Sequence, residues 1–168
     1  MRKFAMSVDI GSTWEAGPAF DRLSRHTDYP SYSSAVRSVT EVQVEGTTCA
    51  TAWETEFRGG ILKWTEEDVF DEESMTISFR QLAGDLERFD GEWRVVPGDG
   101  DTLHVEFRCL LDLGVPTLDA ILNPIAEEAI LDNVAGIIEG LFGPGTRLVD
   151  AVGLPVDPAS AEATTLRD

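Results

Sequence analysis

Two acidic side chains in the segment WTEED have the type and the spacing that proton transfer requires. Glu66 and Asp68 share one side of a strand-like run with Trp64, because alternate residues of a strand point to the same face. If Trp64 points inward, both carboxyls enter an apolar environment that raises a carboxyl pKa, and either can act as acid or base on an enolisable substrate. The alternative is a local bulge or the open rim of a sheet, where acidic groups are solvated.

Large aromatic side chains in the same part of the chain predict a pocket with flat walls. Such walls suit a flat polycyclic ligand, through stacking and the burial of apolar area. Ordinary core packing explains each residue equally well, so we expect at least two members of the group to touch a cavity. The candidates are Trp53, Trp64, Phe79, Trp93 and Phe107.

The histidines and cysteines predict neither a metal site nor a nucleophilic site. His26, His104, Cys49 and Cys109 match no metal-binding spacing, and no Ser-His-Asp set can be argued from the sequence. Both cysteines lie in strand-like runs, where buried reduced thiols are the usual state. We therefore expect no metal and no cofactor.

Hydrophobic alternation and turn signals predict the elements that hold these residues. Phe4, Met6, Val8 and Ile10 form one face of a first strand. Two short helices follow, and six antiparallel strands come after them, separated by short turns. The six are predicted at 36–44, 47–58, 60–70, 74–83, 86–96 and 101–113.

A long amphipathic helix is predicted after the last strand, because apolar residues between Ile125 and Leu141 recur at helical spacing. Asn123 can cap its start, Pro124 fits the first helical position, and Gly143 ends it. Asn133 lies on this helix about one turn from its apolar neighbours and is a candidate hydrogen-bonding group.

The predicted fold class is α+β, with a seven-stranded curved antiparallel sheet around the long C-terminal helix. One helix cannot fill the concave face of such a sheet, so a ligand cavity should remain between them. Residues 1–144 would form the ligand-binding domain. Residues 145–168, rich in Gly, Pro, Ala and Thr, would form a partly flexible C-terminal tail.

This order of elements resembles the helix-grip fold of the START and Bet v 1-like superfamily. The segments AFDRLSRHTDYPSY, LKWTEEDVFD and ISFRQLAGDLERFDGEWRV are similar to its polyketide cyclase/dehydrase and coenzyme-Q-binding branch, over roughly residues 3–142. The resemblance implies a hydrophobic pocket, and it implies that the short second helix, which carries Tyr29 and Tyr32, gates that pocket. Both tyrosines could donate hydrogen bonds to a ligand, although packing explains them equally well.

The sequence departs from the aromatase/cyclases of this superfamily at three positions. Those proteins usually have an Arg where Asp68 falls, and some have a His near Arg108 and an Asp near Gly136. Asp68 cannot replace an Arg that stabilises a carbonyl oxygen, because its charge has the wrong sign. Arg80, on the neighbouring strand, is a candidate substitute, and its competing interpretation is an exposed or ion-paired strand residue.

Two functions follow from these observations. The first is a polyketide cyclase or aromatase that folds a poly-β-ketone chain and promotes aldol closure and dehydration, with Glu66, Asp68 and Arg80 as the catalytic candidates. The second is a binding, transport or resistance protein for a quinone, lipid or antibiotic, which needs no catalytic set. The sequence does not decide between them, nor does it identify the ligand.

The charge of the chain excludes some partners. Its 13 basic and 31 acidic residues give a net charge of −18, so nucleic acid and anionic membrane surfaces are poor partners. Acidic carrier proteins would also be repelled. We expect no signal peptide and no membrane span, and hence a cytoplasmic protein. A homodimer is compatible with the sequence.

Overall fold

The computed structural model describes residues 1–154, which form an α+β fold with one large antiparallel sheet. The strands are β1 Arg2–Gly11, β2 Val36–Glu45, β3 Thr48–Phe57, β4 Gly60–Asp71, β5 Thr76–Gly84, β6 Arg88–Pro97, β7 Leu103–Asp112 and β8 Arg147–Leu154. The helices are α1 Ala16–Ser24, α2 Tyr29–Tyr32 and α3 Asp119–Phe142, with single 3-10 turns at His26–Asp28 and Pro116–Leu118.

Alternation of apolar and polar residues produces the sheet that the sequence predicts. In β1, Phe4, Met6, Val8 and Ile10 are buried, whereas the residues between them are only partly covered. The six central strands lie within two residues of their predicted bounds. Because one face of each strand is apolar, the sheet has an inner face that belongs to the core and an outer face that is largely wet.

Strand order follows the chain, with one exception. Neighbouring strands run β2-β3-β4-β5-β6-β7-β1-β8, so β2 to β7 are joined by consecutive hairpins and β1 lies between β7 and β8. All of these pairings are antiparallel. The acidic strand β4 therefore lies between β3 and β5, well inside the sheet.

The eighth strand corrects the predicted count of seven. Residues Arg147–Leu154 were predicted as part of a tail, but they pair with β1, and Ala5 lies opposite Val152. Seven of the eight side chains in β8 are exposed, so the segment lacks the apolar alternation that would reveal a strand. Residues 155–168, the rest of the predicted tail, lie outside the described residues.

Helix α3 covers the inner face of the sheet, and it begins earlier than predicted. Asn123 is not its cap, because the helix starts at Asp119 and encloses both Asn123 and Pro124. The earlier start follows from the 3-10 turn Pro116–Leu118, which leads directly into the helix. Its buried side chains join the core formed by the sheet, and they are Asn123, Ala126, Ala129, Ile130, Val134, Ile137, Ile138, Leu141 and Phe142. No helix in residues 1–154 combines the length and apolar character needed to cross a membrane.

The short helices are attached to the C-terminal half of α3. The Arg22 Nε of α1 donates a hydrogen bond to the Leu141 carbonyl oxygen at 2.5 Å. Helix α2 approaches α3 closely at Gly140, where an added Cβ would lie 1.9 Å from the Tyr32 carbonyl oxygen. These contacts fix α2, and with it the turn that carries His26, against the inner face of the sheet.

Candidate active site

A small cavity lies between the inner face of the sheet and α3. It encloses about 50 Å³, which is room for only a few water molecules. Pockets that bury drug-sized ligands usually measure about 300–1,000 Å³. A ligand larger than a few atoms must therefore widen this space by moving side chains or α3.

Six of the eight predicted ligand-binding residues line this cavity. Alternation places the aromatic members on the inner face of the sheet, while Asn133 reaches the cavity from α3. The indole rings of Trp53 and Trp64 are stacked, with centroids 5.5 Å apart and an angle of 9° between their planes. The six are Trp53, Trp64, Phe79, Trp93, Phe107 and Asn133.

Glu66 presents a carboxyl group to this aromatic cavity. It follows Trp64 on the inner face of β4 and is only 3% exposed. The Trp64 Nε1 donates a hydrogen bond to Glu66 Oε1 at 2.7 Å. Burial, together with a hydrogen bond to Asp68 and the negative charge of that residue, raises the pKa of Glu66 well above its ordinary value. Glu66 therefore holds its proton to a higher pH than an ordinary carboxyl group does.

Asp68 lies one step deeper in the protein and is fully buried. Thr51 Oγ1 donates to Asp68 Oδ2 at 2.6 Å, and the Trp53 Nε1 donates to Thr51 Oγ1 at 2.8 Å. Burial acts to raise the pKa of Asp68, but hydrogen bonds from Glu66, His26 and Thr51 and the charge of His26 outweigh it, so the pKa is lowered. The neighbouring carboxyls therefore differ, because Glu66 binds its proton more tightly than Asp68 does.

His26 is the site residue that sequence reasoning missed. Its Nδ1 lies 3.5 Å from Asp68 Oδ2, and its side chain is almost completely buried. Three aromatic rings surround the imidazole, with centroids at 5.1 Å for Tyr29, 5.3 Å for Trp53 and 5.7 Å for Phe70. A single histidine in a short turn carries no periodic signal, and only the docking of that turn onto the sheet reveals its position.

The cluster contains atoms of the types that bind metal ions. One nitrogen of His26 and one oxygen each of Glu66 and Asp68 lie within 4.8 Å of one another. The Nε2 of His26 and the Oδ1 of Asp68 are buried and have no hydrogen-bond partner, while the His26 Nδ1 lies 3.5 Å from Asp68 Oδ2. Sequence spacing could not indicate this group, because its members are brought together by a turn and a strand that lie 40 residues apart.

Two of the predicted ligand-binding residues do not line the cavity. Tyr29 is fully buried, but its hydroxyl donates to the Leu23 carbonyl oxygen at 2.5 Å. Tyr32 is 37% exposed, and its ring packs against the Arg22 guanidinium, 4.4 Å from the ring centroid. Packing, the alternative that the sequence left open, therefore accounts for both tyrosines.

Arg80 lies on the outer face of the sheet and cannot reach a ligand inside it. Phe79 points inward from β5, so alternation turns Arg80 outward, where it forms a 3.6 Å ion pair with Glu67. Its proposed role as a substitute cation is thus wrong for steric reasons. The residues that line the cavity include no Arg or Lys.

Asn133 reaches the cavity with part of its amide already engaged. Its Nδ2 donates a hydrogen bond to the Glu56 carbonyl oxygen at 2.8 Å. This bond ties α3 to the end of β3. The amide can therefore orient a polar group of a ligand only through the hydrogen-bonding atoms that Glu56 leaves unused.

Comparison with known proteins adds a family and a fold. Residues 17–138 match the family described as polyketide cyclase / dehydrase and lipid transport. No curated protein matches the chain significantly.

Solved structures share the fold at low sequence identity. TTHA0849 from Thermus thermophilus is 20% identical, with a TM-score of 0.74 over 83% of this chain and 94% of that one. The Zhui aromatase/cyclase from Streptomyces is 14% identical, with a TM-score of 0.71 over 84% and 91% of the two chains. A START superfamily protein from Mycobacterium smegmatis is 14% identical, with a TM-score of 0.69 over 83% and 96%.

Proposed function

Because the chain belongs to the polyketide cyclase / dehydrase and lipid transport family, we propose that it binds a hydrophobic, carbonyl-bearing polyketide in its cavity and promotes aldol cyclisation and dehydration. The observation that carries the proposal is Glu66, a carboxyl group of raised pKa that accepts a hydrogen bond from Trp64 and faces an aromatic cavity. A positioned acid of this kind contributes to reactions in which an oxygen gains a proton as a bond forms or breaks. Aromatic walls supply the apolar surface that a folded polyketide would cover.

Glu66 can return each proton that it gives in such a reaction. In aldol closure, an enol carbon attacks a second carbonyl carbon, and Glu66 protonates the oxygen of that carbonyl as the new C–C bond forms. The proton of the enol hydroxyl then returns to the Glu66 carboxylate. In dehydration, Glu66 protonates the new hydroxyl, which leaves as water, and the carboxylate takes a proton from the adjacent carbon. Neither step changes the net number of protons on the protein.

The cavity contributes by position as well as by chemistry. Holding the reacting carbons together converts a flexible chain into a near-attack conformer and removes much of an entropic barrier. The present volume of about 50 Å³ is too small for such a chain, so binding must separate the aromatic wall from Ile130, Val134 and Ile137 of α3. Cyclisation by this protein therefore requires a cavity that opens on binding.

A non-catalytic binding protein is the second candidate function, and one observation favours it. The cavity lining lacks the positively charged side chain that would stabilise a developing oxyanion. A quinone, lipid or antibiotic could occupy an apolar cavity without one. In that case Glu66 would donate a hydrogen bond to the ligand without transferring a proton.

Replacement of one carboxyl oxygen of Glu66 by an amide nitrogen distinguishes catalysis from simple binding. Glu66→Gln keeps the size and a hydrogen-bond donor of the side chain but removes its transferable proton. With linear β-polyketone thioesters as probes, we expect turnover to fall by roughly 10²–10⁴-fold, while the dissociation constant changes only a few-fold. Glu67→Gln is the matched control, because it makes the same substitution on the outer face, beside Arg80 and away from the cavity.

Two results would contradict catalysis by Glu66. If the wild-type protein binds the probes but does not convert them, the binding function is supported. If Glu66→Gln converts them as fast as the wild-type protein, the acid lies elsewhere. Mass spectrometry of the products and fluorescence titration of binding measure the two quantities independently.

A further inference from the structure

The acid pair has a buried basic neighbour that the proposed reaction does not use. His26 is 3% exposed and, like Asp68, is not among the residues that line the cavity, whereas Glu66 is. Its Nδ1 is 3.5 Å from Asp68 Oδ2. The three side chains thus form a series that starts at a buried turn and ends at the cavity.

The other titratable groups around this series supply no positive charge. Burial, with the negative charges of Asp68 and Glu66, raises the pKa of Tyr29 on α2. Burial, with the charges of Glu41 on β2, Asp68 and Glu66, raises the pKa of the Cys49 thiol on β3. Both groups stay protonated and neutral at neutral pH. Among the described residues, the basic side chain that acts on Asp68 is therefore His26.

The aromatic surroundings of His26 suit a ring that donates to a carboxylate. The rings of Tyr29, Trp53 and Phe70 pack around it at centroid distances of 5.1–5.7 Å, so it has little freedom to turn away from Asp68. No backbone or side-chain acceptor other than Asp68 lies within hydrogen-bonding distance of either ring nitrogen. The imidazole is consequently directed at Asp68 by both packing and charge.

We infer that His26 is a positioning residue that keeps Asp68 ionised and thereby keeps the proton of the acid pair on Glu66. The inference rests on the proposed role of Glu66 as the acid. Two carboxyls in one site share a proton, and their surroundings decide which of them holds it. If Asp68 held the proton, Glu66 would face the cavity as a carboxylate and could not protonate a carbonyl oxygen. His26 and Thr51 both stabilise the anion on the deeper member of the pair.

Nuclear magnetic resonance of the ligand-free protein tests this inference without a substrate. Carbon-13 labelling of the Asp and Glu carboxyl groups reports the ionisation of Asp68 and Glu66 as a function of pH. His26→Phe keeps a ring among the aromatic neighbours but removes the donor, and we expect the proton affinity of Asp68 to rise about tenfold or more. His26→Gln restores a donor without a charge and should give an intermediate change.

His104→Gln is the matched control, because it replaces the second of the two histidines in the chain, which lies beside Asp9 and away from the cluster. It should leave the Asp68 titration unchanged. If His26→Phe is folded and Asp68 titrates as in the wild-type protein, the inference is overturned. If it is not folded, His26→Gln provides the same comparison.

A titration with Zn²⁺ tests whether His26, Glu66 and Asp68 form a metal site instead of the metal-free arrangement inferred above. The relation between His26 and Asp68 requires no metal, so calorimetry of the wild-type protein with Zn²⁺ alone should show no tight site. Micromolar, one-to-one binding that disappears in His26→Phe would overturn the inference. Because these measurements involve no turnover, they can succeed when the proposed reaction fails, and the reverse is equally possible.

Discussion

At the scale of single residues, the site depends on two carboxyls whose surroundings push their ionisation in opposite directions. Burial raises the pKa of Glu66, whereas hydrogen bonds from Glu66, His26 and Thr51 lower that of Asp68 despite its burial. One chain segment thus provides an acid and an anion next to each other. This separation of roles is typical of enzymes that use two neighbouring carboxyls at neutral pH.

The raised pKa of Glu66 makes the stability of the protein depend on pH. Its contribution is fully present below its ordinary value of 4.5 and is lost as the pH rises toward the higher value of the folded state. Glu66→Gln removes this loss, because an amide does not ionise. Above pH 4.5, we expect the variant to gain unfolding free energy relative to the wild-type protein by up to about 1.4 kcal/mol per pH unit.

Urea denaturation of both proteins at several pH values measures this difference. Glu67→Gln, which makes the same side-chain substitution on the outer face beside Arg80, is the control. A free-energy difference between Glu66→Gln and the wild-type protein that stays constant with pH would contradict the raised pKa.

The orientation of a site residue could be predicted from the sequence where the residue lies on a strand, because alternate residues of a strand point to the same face. Trp64 faces inward, so Glu66 and Asp68 had to do so as well, and the same rule turns Arg80 outward behind Phe79. His26 could not be found in this way, because its turn has no period. Its contact with Asp68 depends on long-range packing.

At the scale of elements, the close approach of α2 to α3 depends on one glycine. A Cβ at Gly140 would lie 1.9 Å from the Tyr32 carbonyl oxygen, a backbone atom that cannot move alone. One turn earlier, a Cβ at Gly136 would meet only Ser33 Oγ at 3.8 Å, an ordinary contact. The two glycines therefore make a matched pair on one helix.

We expect Gly140→Ala to lower the free energy of unfolding by about 1–3 kcal/mol, the usual cost of inserting a methyl group into a packed contact. Gly136→Ala should be neutral or should stabilise by up to about 1 kcal/mol, because Ala favours a helix. Chemical denaturation measures both values. Equal stability of the two variants would show that α2 does not touch α3 at Gly140.

Most helices and strands could be predicted from the sequence, but the start of α3 and strand β8 could not. Apolar alternation revealed most of β1 to β7, because these strands bury one face against the core, although β2 buries only Val36 and Val39. The start of α3 was misjudged because Pro124 suits a first turn, yet the helix tolerates it at its sixth residue. Strand β8 was not predicted from the sequence, because it is held mainly by its pairing with β1 and its side chains are exposed.

At the scale of the whole molecule, charge opposes compactness. The net charge of −18 creates self-repulsion in the folded state, and ions in solution screen it. The screening length falls from about 10 Å at 0.1 M salt to about 3 Å at 1 M. We therefore expect the free energy of unfolding in urea to rise as NaCl increases over this range.

A variant with fewer acidic side chains isolates the contribution of charge. Glu72→Lys with Glu73→Lys changes two exposed residues of the turn between β4 and β5, so stability should depend less on salt. If NaCl leaves the unfolding free energy of the wild-type protein unchanged, self-repulsion is not a significant cost of folding here.

The fold of the molecule was more predictable than its cavity. Element order and strand faces follow from local patterns, and they indicated a space between the sheet and α3. The volume of that space depends on how side chains interdigitate, which no local pattern encodes. The cavity volume of about 50 Å³ could therefore be learned only from the packed core and not from the sequence.

The stacked indoles of Trp53 and Trp64 also give the protein an optical property. Two parallel chromophores with centroids 5.5 Å apart couple their electronic transitions, and such coupling produces paired bands of opposite sign in circular dichroism. The stack forms part of the cavity wall and touches Glu66 through the Trp64 Nε1. A molecule that contacts the two indoles and changes their angle or spacing would change these bands. The protein therefore carries an intrinsic spectroscopic reporter with which unlabelled compounds can be screened.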